Sequence, residues 1–175
     1  MVQASNTYVG RGFKAAYLPY AAGLLVAYAW TDETVKKEYC FKRFIFTRED
    51  VEAAATSLEN PAVIGFSNYI WNTEYNKALA KRVKELYPEC IIIFGGHNVP
   101  PDTSFLEKFD YIDFLIHGEG ERAFVEYAKA AEKNDFSALK NISYRFNGGI
   151  FPATEGKTCI SLEELPSPYT AGLFD

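Results

Sequence analysis

Cys90-Ile91-Ile92-Ile93-Phe94-Gly95-Gly96-His97-Asn98-Val99-Pro100 decides how the rest of the chain folds. Ile91 to Phe94 are four consecutive apolar residues, three of them β-branched, and predict a strand buried on both faces. Gly95 and Gly96 then stop it. A glycine pair lets the backbone turn sharply and lets a ligand lie directly on the main chain. Polar residues and prolines follow, as in a loop at the carboxyl edge of a sheet, where open α/β sheets bind ligands. A tight turn that holds no ligand would leave the same pattern.

Outward from this strand the same unit repeats. Ala62-Val63-Ile64-Gly65-Phe66-Ser67 predicts a strand bounded by Pro61. The loop Ser67-Asn68-Tyr69-Ile70-Trp71-Asn72 gathers hydroxyl, amide, aromatic and indole groups at the strand's end, a composition suited to a pocket wall. Equally, Ile70 and Trp71 could cover the sheet while Asn72 or Thr73 caps a helix. Tyr75, Leu79, Val83 and Leu86 recur at helical spacing and predict a helix from Thr73 to Tyr87, ended by Pro88. Downstream, a short helix over Thr103 to Phe109 is capped by Asp102 or Thr103. A strand over Tyr111 to Ile116 runs into His117-Gly118-Glu119-Gly120-Glu121, and a helix spans Arg122 to Glu132. Free N–H groups at that helix start favour anions, but Glu119 and Glu121 fit hydroxyl or amide partners better than a bare phosphate. His117 by itself reads as a packed or hydrogen-bonded histidine.

The N-terminal part supplies two more strands. Val2 to Asn6 reads as the tail of a strand, Thr7 to Lys14 as a loop with Gly10 and Gly12, and residues 20–31 as an alanine- and leucine-rich helix opened by Pro19. Gly23 inside that helix costs about 1 kcal/mol against alanine, so it admits close approach of a backbone or ligand, or close helix–sheet packing. Phe41 to Phe46 predicts a strand. Thr47-Arg48-Glu49-Asp50 resembles a capping box, with a hydroxyl N-cap and an acid three residues on, before a helix to about Leu58 that Asn60-Pro61 breaks. Five strands alternating with helices, each crossover long enough for parallel pairing, give a doubly wound α/β domain. Asn147-Gly148-Gly149 between Asn141–Phe146 and Ile150–Ala153 signals a hairpin appendage. Leu162 to Asp175, with Pro166, Pro168 and Gly172, reads as a linker that should pack on something absent from this chain. The expected divisions are therefore 1–134, 135–160 and 161–175.

Composition narrows the function classes. The chain has 175 residues and is 48% hydrophobic, enough for one domain with a proper core. Aromatics reach 16%, which suggests a thick core or aromatic pocket walls. The net charge of -5, with positive residues scattered, does not support a nucleic-acid partner. No apolar run approaches the roughly 18–20 residues of a membrane span, and residues 1–13 lack the apolar core of a secretory signal. Cys40, Cys90 and Cys159 are too far apart for a disulfide framework or a metal motif, so a cytoplasmic, reduced protein with no metal ligands of its own is expected. No nucleophile–base pair stands out, so no catalytic residue is assigned. A phosphoacceptor receiver domain would need an acidic cluster at the first strand and a lysine at the fifth, and neither is present.

Five motifs carry a more specific resemblance. They are Tyr-Leu-Pro-Tyr-Ala-Ala-Gly-Leu-Leu (17–25), Gly-Phe-Ser-Asn-Tyr-Ile-Trp-Asn (65–72), Ile-Phe-Gly-Gly-His-Asn-Val-Pro (93–100), Gly-Glu-Gly-Glu (118–121) and Leu-Pro-Ser-Pro-Tyr (165–169). In this order and spacing, over nearly the whole chain, they resemble the N-terminal cobalamin-binding domain of cobalamin-dependent radical S-adenosylmethionine enzymes. The resemblance implies a flavodoxin-like, five-stranded parallel sheet of order 2-1-3-4-5 with helices on both faces. It implies that cobalamin binds with its nucleotide tail beside the sheet, against Ser67, Gly95 and Gly96. Leu18, Pro19, Tyr20, Gly23, Asn68, Tyr69, Trp71, His97, Gly118, Glu119, Gly120 and Glu121 would ring the corrin or the mouth of the tail site. It also implies a C-terminal radical domain in the same polypeptide, which would bind S-adenosylmethionine and a 4Fe-4S cluster through a C-x-x-x-C-x-x-C motif that these 175 residues do not contain.

One departure is plain. Better-known cobalamin domains place a cobalt-ligating histidine in Asp-x-His-x-x-Gly. Setting Gly23 on that glycine puts Leu18 at the aspartate and Tyr20 at the histidine. Tyrosine is a poor cobalt ligand and no carboxylate would orient it, so bound corrinoid should be base-off without a histidine ligand. The implied function is a cobalamin-binding module of a methyltransferase that acts on a small molecule or peptide and is not catalytic as a fragment. The competing class is a degenerate domain that binds nothing and serves as scaffold or interaction module.

Overall fold

The computed structural model describes residues 1–5, 8–10, 13–15, 17–157 and 160–174. Its main sheet is built from β1 (Val2–Ser5), β4 (Ile45–Thr47), β5 (Val63–Ser67), β6 (Ile91–Gly95), β7 (Phe114–Ile116), β8 (Ile142–Phe146) and β9 (Gly149–Phe151). The order is β4-β1-β5-β6-β7-β8-β9. The first five strands are parallel, and numbered among themselves they run 2-1-3-4-5, as the sequence implied. The expected hairpin is present but is not a separate appendage. β8 pairs antiparallel with β7, Phe114 opposite Tyr144, so the sheet has seven strands rather than five. Its turn places Asn147 and Gly148 both at positive φ, 47° and 78°, as a two-residue hairpin loop requires.

The helices are α1 (Tyr20–Ala29), α2 (Glu33–Glu38), α3 (Val51–Thr56), α4 (Thr73–Leu86), α5 (Ser104–Lys108) and α6 (Gly120–Lys133). Strand alternation sends Ile92, Phe94 and Leu115 into a core with Leu79, Ala80 and Val83 of α4 and Leu106 of α5. Ile93, Phe114 and Ile116 go to the opposite face, against Ala123, Phe124 and Tyr127 of α6. The central strand is thus buried on both sides, which is why it reads as an unbroken apolar run.

Several expectations need correcting. Thr47 ends β4, and the cap of α3 is Asp50, whose Oδ1 accepts the Ala53 N–H at 3.0 Å. An acid three residues after a hydroxyl imitated a capping box but was itself the N-cap. Residues 7–14, read as a loop, contain β2 (Tyr8–Gly10) and β3 (Phe13–Ala15), an antiparallel pair. Asn6, Gly12 and Cys159 lie outside the described residues. Helix α2 was not anticipated, although Asp32 caps it by accepting from Thr34 and Val35. The segment expected to pack on something absent packs on this chain: Leu162–Glu164 is a short 3-10 helix, and Phe174 and Pro168 lie over Gly23 of α1.

Candidate functional site

A groove of about 540 Å³ opens at the carboxyl rim of β5 and β6, between the sheet and helices α1 and α6. Its origin is the size of the side chains on one face. Gly65, Ser67 and Gly95 point the same way as Ile93, and register sets Gly65 beside Ile93 and Ser67 beside Gly95. Three of these four positions carry almost nothing of their own, and the Met1 side chain covers Gly65, its Sδ 2.6 Å from where a Cβ would stand. The helices above are equally bare: α1 contributes Ala21 and Ala22, and α6 begins at Gly120, where a Cβ would stand 3.3 Å from Leu25 Cδ1. Ile93, Leu25, Ile116 and Phe124 give apolar walls, and Ser67, His97, His117 and Glu119 place polar groups among them.

The two rim glycines differ. Gly96 has φ of +100°, and a Cβ there would sit 2.8 Å from the Asn68 carbonyl oxygen, so backbone shape demands glycine. Gly95 has no such constraint: an added Cβ would meet Ile116 Cβ at 3.7 Å, an ordinary contact. Its bareness therefore leaves room on the groove floor rather than relieving the fold.

Beneath the rim lies a network of amides. The Asn68 N–H donates to the Gly95 carbonyl at 2.6 Å and the Asn98 N–H to the Asn68 carbonyl at 3.0 Å, tying the two rim loops together. Asn76 Nδ2 lies 3.2 Å from Asn68 Oδ1 and 3.1 Å from Asn72 Oδ1. Asn72 Nδ2 donates to the Ala4 and Ser67 carbonyls, and Asn98 Nδ2 donates to Thr73 Oγ1. Asn68 and Asn76 are fully buried, and Asn72 is 1% exposed. Buried amides bonded to one another fix a loop in one shape, although Asn76 Oδ1 has no partner among the described residues. On top of it the rings of Trp71, Tyr69 and His97 form a column, with centroids 4.5 Å and 5.6 Å apart.

The structure brings together Ser67, Tyr69, Gly95, Gly96, His97, Gly118, Glu119, Gly120 and Glu121. Other expected positions fall elsewhere. Asn68 is buried under the loop and supports it instead of facing the groove. Trp71 is half-exposed outside the cavity, stacked on Tyr69. Leu18 and Pro19 line a second cavity of about 400 Å³ with Trp30, Phe44 and Phe174. Tyr20 is half-exposed beside Tyr169, with ring centroids 6.0 Å apart. Gly23 faces the tail, its absent Cβ replaced by the Phe174 ring. Sequence reasoning missed Ala21, Ala22, Leu25, Ile116 and His117. The Ala21-Ala22 pair was a usable signal, since two small residues on a helix over a glycine-lined sheet face leave space.

Among the described residues no cluster of His, Cys, Asp or Glu could hold a metal ion. No helix is long and apolar enough to cross a membrane. The groove's volume falls within the 300–1,000 Å³ usual for small-molecule pockets. Its floor of bare main chain suits a flat ring laid against the sheet, with hydroxyl and imidazole groups at the margin. Glu119 and Glu121 line the groove at the start of α6.

A family model described as the B12 binding domain matches residues 20–128. The cobalamin-dependent radical SAM methyltransferase TokK of Streptomyces tokunonensis is 36% identical over 162 residues. The 2-(S-pantetheinyl)-carbapenam-3-carboxylate methyltransferase of Streptantibioticus cattleyicolor is 33% identical over 162 residues. Each alignment takes in 91% of this chain and 24% of the relative, so the chain spans about a quarter of the length of these curated relatives. Among solved structures, the radical S-adenosylmethionine methyltransferase TsrM from Kitasatospora setae, with cobalamin and a [4Fe-4S] cluster bound, superposes with a TM-score of 0.56 at 14% identity. That match covers 95% of this chain and 30% of TsrM, and it is a likeness of fold.

Proposed function

This chain belongs to the B12 binding domain family, and from that premise we propose that the groove at the rim of β5 and β6 seats the nucleotide tail of cobalamin. The observation that carries the reading is the row of missing side chains at Gly65, Ser67 and Gly95 under Ala21 and Ala22. Ser67 and Gly95 leave the floor open beside Ile93, while the Met1 side chain lies over Gly65, and Gly95 is small without any need of the fold. Ser67 offers a hydroxyl at the end of its strand, and Gly95 and Gly96 offer bare backbone. Tyr69, His97 and the Gly118–Gly120 turn form the mouth. The corrin would lie across the exposed rim at Tyr69 and Trp71.

The residues fit the group, with the tail uncoordinated from cobalt. Tyr20 occupies the place of the ligating histidine in other cobalamin domains. Of the chain's two histidines, His97 is stacked on Tyr69 and His117 is bonded to Ser143. Both sit at the groove rather than on the Tyr17–Tyr20 loop. Bound in this way, cobalamin supplies methyl-transfer chemistry at cobalt. This chain holds and orients it; in the full polypeptide a C-terminal radical domain, with S-adenosylmethionine and an iron–sulfur cluster, acts on the substrate. The names and lengths of the relatives support this division.

The test is to incubate the chain with hydroxocobalamin, desalt it and record the visible spectrum. About one equivalent of retained corrinoid is expected, and no retained absorbance contradicts the reading. Reduction to Co(II) followed by electron paramagnetic resonance addresses the ligand. A spectrum without nitrogen splitting is expected, and clear nitrogen splitting contradicts histidine-free binding.

A further inference from the structure

His117 directly follows strand β7 and lines the groove, yet its ring is held by the hairpin. Its backbone N–H donates to the Asn141 carbonyl at 2.9 Å, and its Nε2 lies 2.9 Å from Ser143 Oγ. Ser143 is 1% exposed, on β8, and its Oγ also accepts the Ala153 N–H at 2.9 Å. The protons can then be counted. One lone pair of the Ser143 oxygen is taken by Ala153. The hydroxyl proton has a single acceptor within reach among the described residues, His117 Nε2. A hydroxyl this deeply buried does not leave its proton unused. So Ser143 donates, Nε2 accepts, and the imidazole is neutral with its own proton on Nδ1. Burial also draws the imidazole below its ordinary range, against the pull of Asp102, consistent with a neutral ring. Nδ1 has no partner among the described residues, and His117 is one of the residues lining the cavity.

We propose that His117 is a hydrogen-bond donor to the occupant of the groove, with Ser143 fixing the proton on Nδ1 and the Nδ1–H meeting an acceptor atom of the nucleotide tail. The proposal rests on the reading of the groove as the tail site. It also gives the hairpin a purpose: β8 reaches across the edge of the parallel sheet to set the tautomer of a groove residue. A ring with Nε2 protonated would carry a lone pair at Nδ1 and could not donate from it.

Two measurements on the 175-residue chain at pH 7.5 test it. The first needs no ligand: long-range proton–nitrogen correlation spectra of the two histidines, with His97→Gln to assign them. A neutral His117 protonated at Nδ1 is expected, and Ser143→Ala is expected to abolish that preference. A charged ring, an Nε2–H tautomer, or an Nδ1–H tautomer that persists in Ser143→Ala overturns the assignment. The second compares equilibrium dialysis of cobalamin and of cobinamide, which lacks the tail, on variants first shown to melt cooperatively. His117→Gln keeps an amide within reach of Ser143 but has no donor at the Nδ1 position, whereas His117→Asn places an N–H near it. The expected result is a loss of cobalamin affinity of about five- to tenfold in His117→Gln. His117→Asn should stay within about twofold of the parent, and cobinamide binding should be equal throughout. Unchanged cobalamin affinity in His117→Gln, an equal loss for both corrinoids, or an equal loss in His117→Asn overturns the donor. A parent chain that retains neither corrinoid removes the groove reading and the donor's partner with it, while the nitrogen spectra still decide the tautomer by themselves.

Discussion

An alanine at Gly95 and an alanine at Gly96 meet different surroundings. At Gly96 the methyl would press on the Asn68 carbonyl from a backbone with φ of +100°, so Gly96→Ala should cost about 2 kcal/mol or more of stability. At Gly95 the methyl finds ordinary contact with Ile116. Gly95→Ala should therefore leave the melting temperature nearly unchanged while narrowing the groove and weakening cobalamin retention. Thermal melts paired with desalting spectra check both; a Gly95→Ala chain that binds as well as the parent would deny that position a place under the ligand. The amides below the rim give a second test. Asn76 Nδ2 faces the Asn68 and Asn72 side-chain oxygens in a fully buried position. Asn76→Ala strands the buried Asn68 Oδ1, while Asn72 Oδ1 keeps the Tyr69 N–H, and should destabilise the fold by about 1–3 kcal/mol, seen in urea unfolding. A change under 0.5 kcal/mol would mean the network does not hold the loop. These amides illustrate what sequence could not supply. Asn68 and Asn72 looked like ligand-facing polar groups because a loop after a strand is usually exposed, and only the packed neighbours show that they face inward.

At the scale of elements, α1 has two working faces. Ala21, Ala22 and Leu25 overlook the groove, while Gly23 and Val26 face the second cavity and the C-terminal segment. A Cβ on Gly23 would lie 2.4 Å from Phe174 Cζ and 3.1 Å from Pro168 Cβ. Phe174 is in turn wedged against Phe44 and Tyr169, with centroids 5.7 Å and 5.3 Å away. Gly23→Val should expel the segment without unfolding the domain. Limited proteolysis should then cut within residues 161–174 several times faster, and Phe174→Ala should reproduce the effect; unchanged cleavage in both would show that the segment is held by other contacts. The glycine was legible as a site of close approach, but the sequence could not say what approached. The partner is about 150 residues away along the chain, and no local pattern encodes such a contact. Helices α4 and α6 were readable because apolar spacing and breakers act locally, whereas the strand expected over Phe41–Phe46 is found only at Ile45–Thr47. Helix α2 escaped because it buries a single apolar residue, Val35, and so has almost no periodicity.

For the whole molecule, strand order and ligand position follow from one chain of causes. An unbroken β-branched run demands burial on both faces; burial on both faces demands helices on each side; parallel strands then bring their loops to one rim. The parallel pairing was legible for that reason, and the strand order came from the family resemblance. The joining of β8 and β9 to the same sheet was not, because a hairpin signal fixes the turn and leaves the docking edge open. The groove itself was half legible: Ser67, Gly95 and Gly96 stood out as strand-end residues, while its helical wall did not. The central claim is that this groove receives the cobalamin tail, and a crystal structure of the chain with cobalamin tests it most directly. The account predicts the benzimidazole detached from cobalt and lying on Ser67, Gly95 and Gly96 under α1, with the corrin on the rim. A tail still bound to cobalt, or lodged outside the groove, would contradict it.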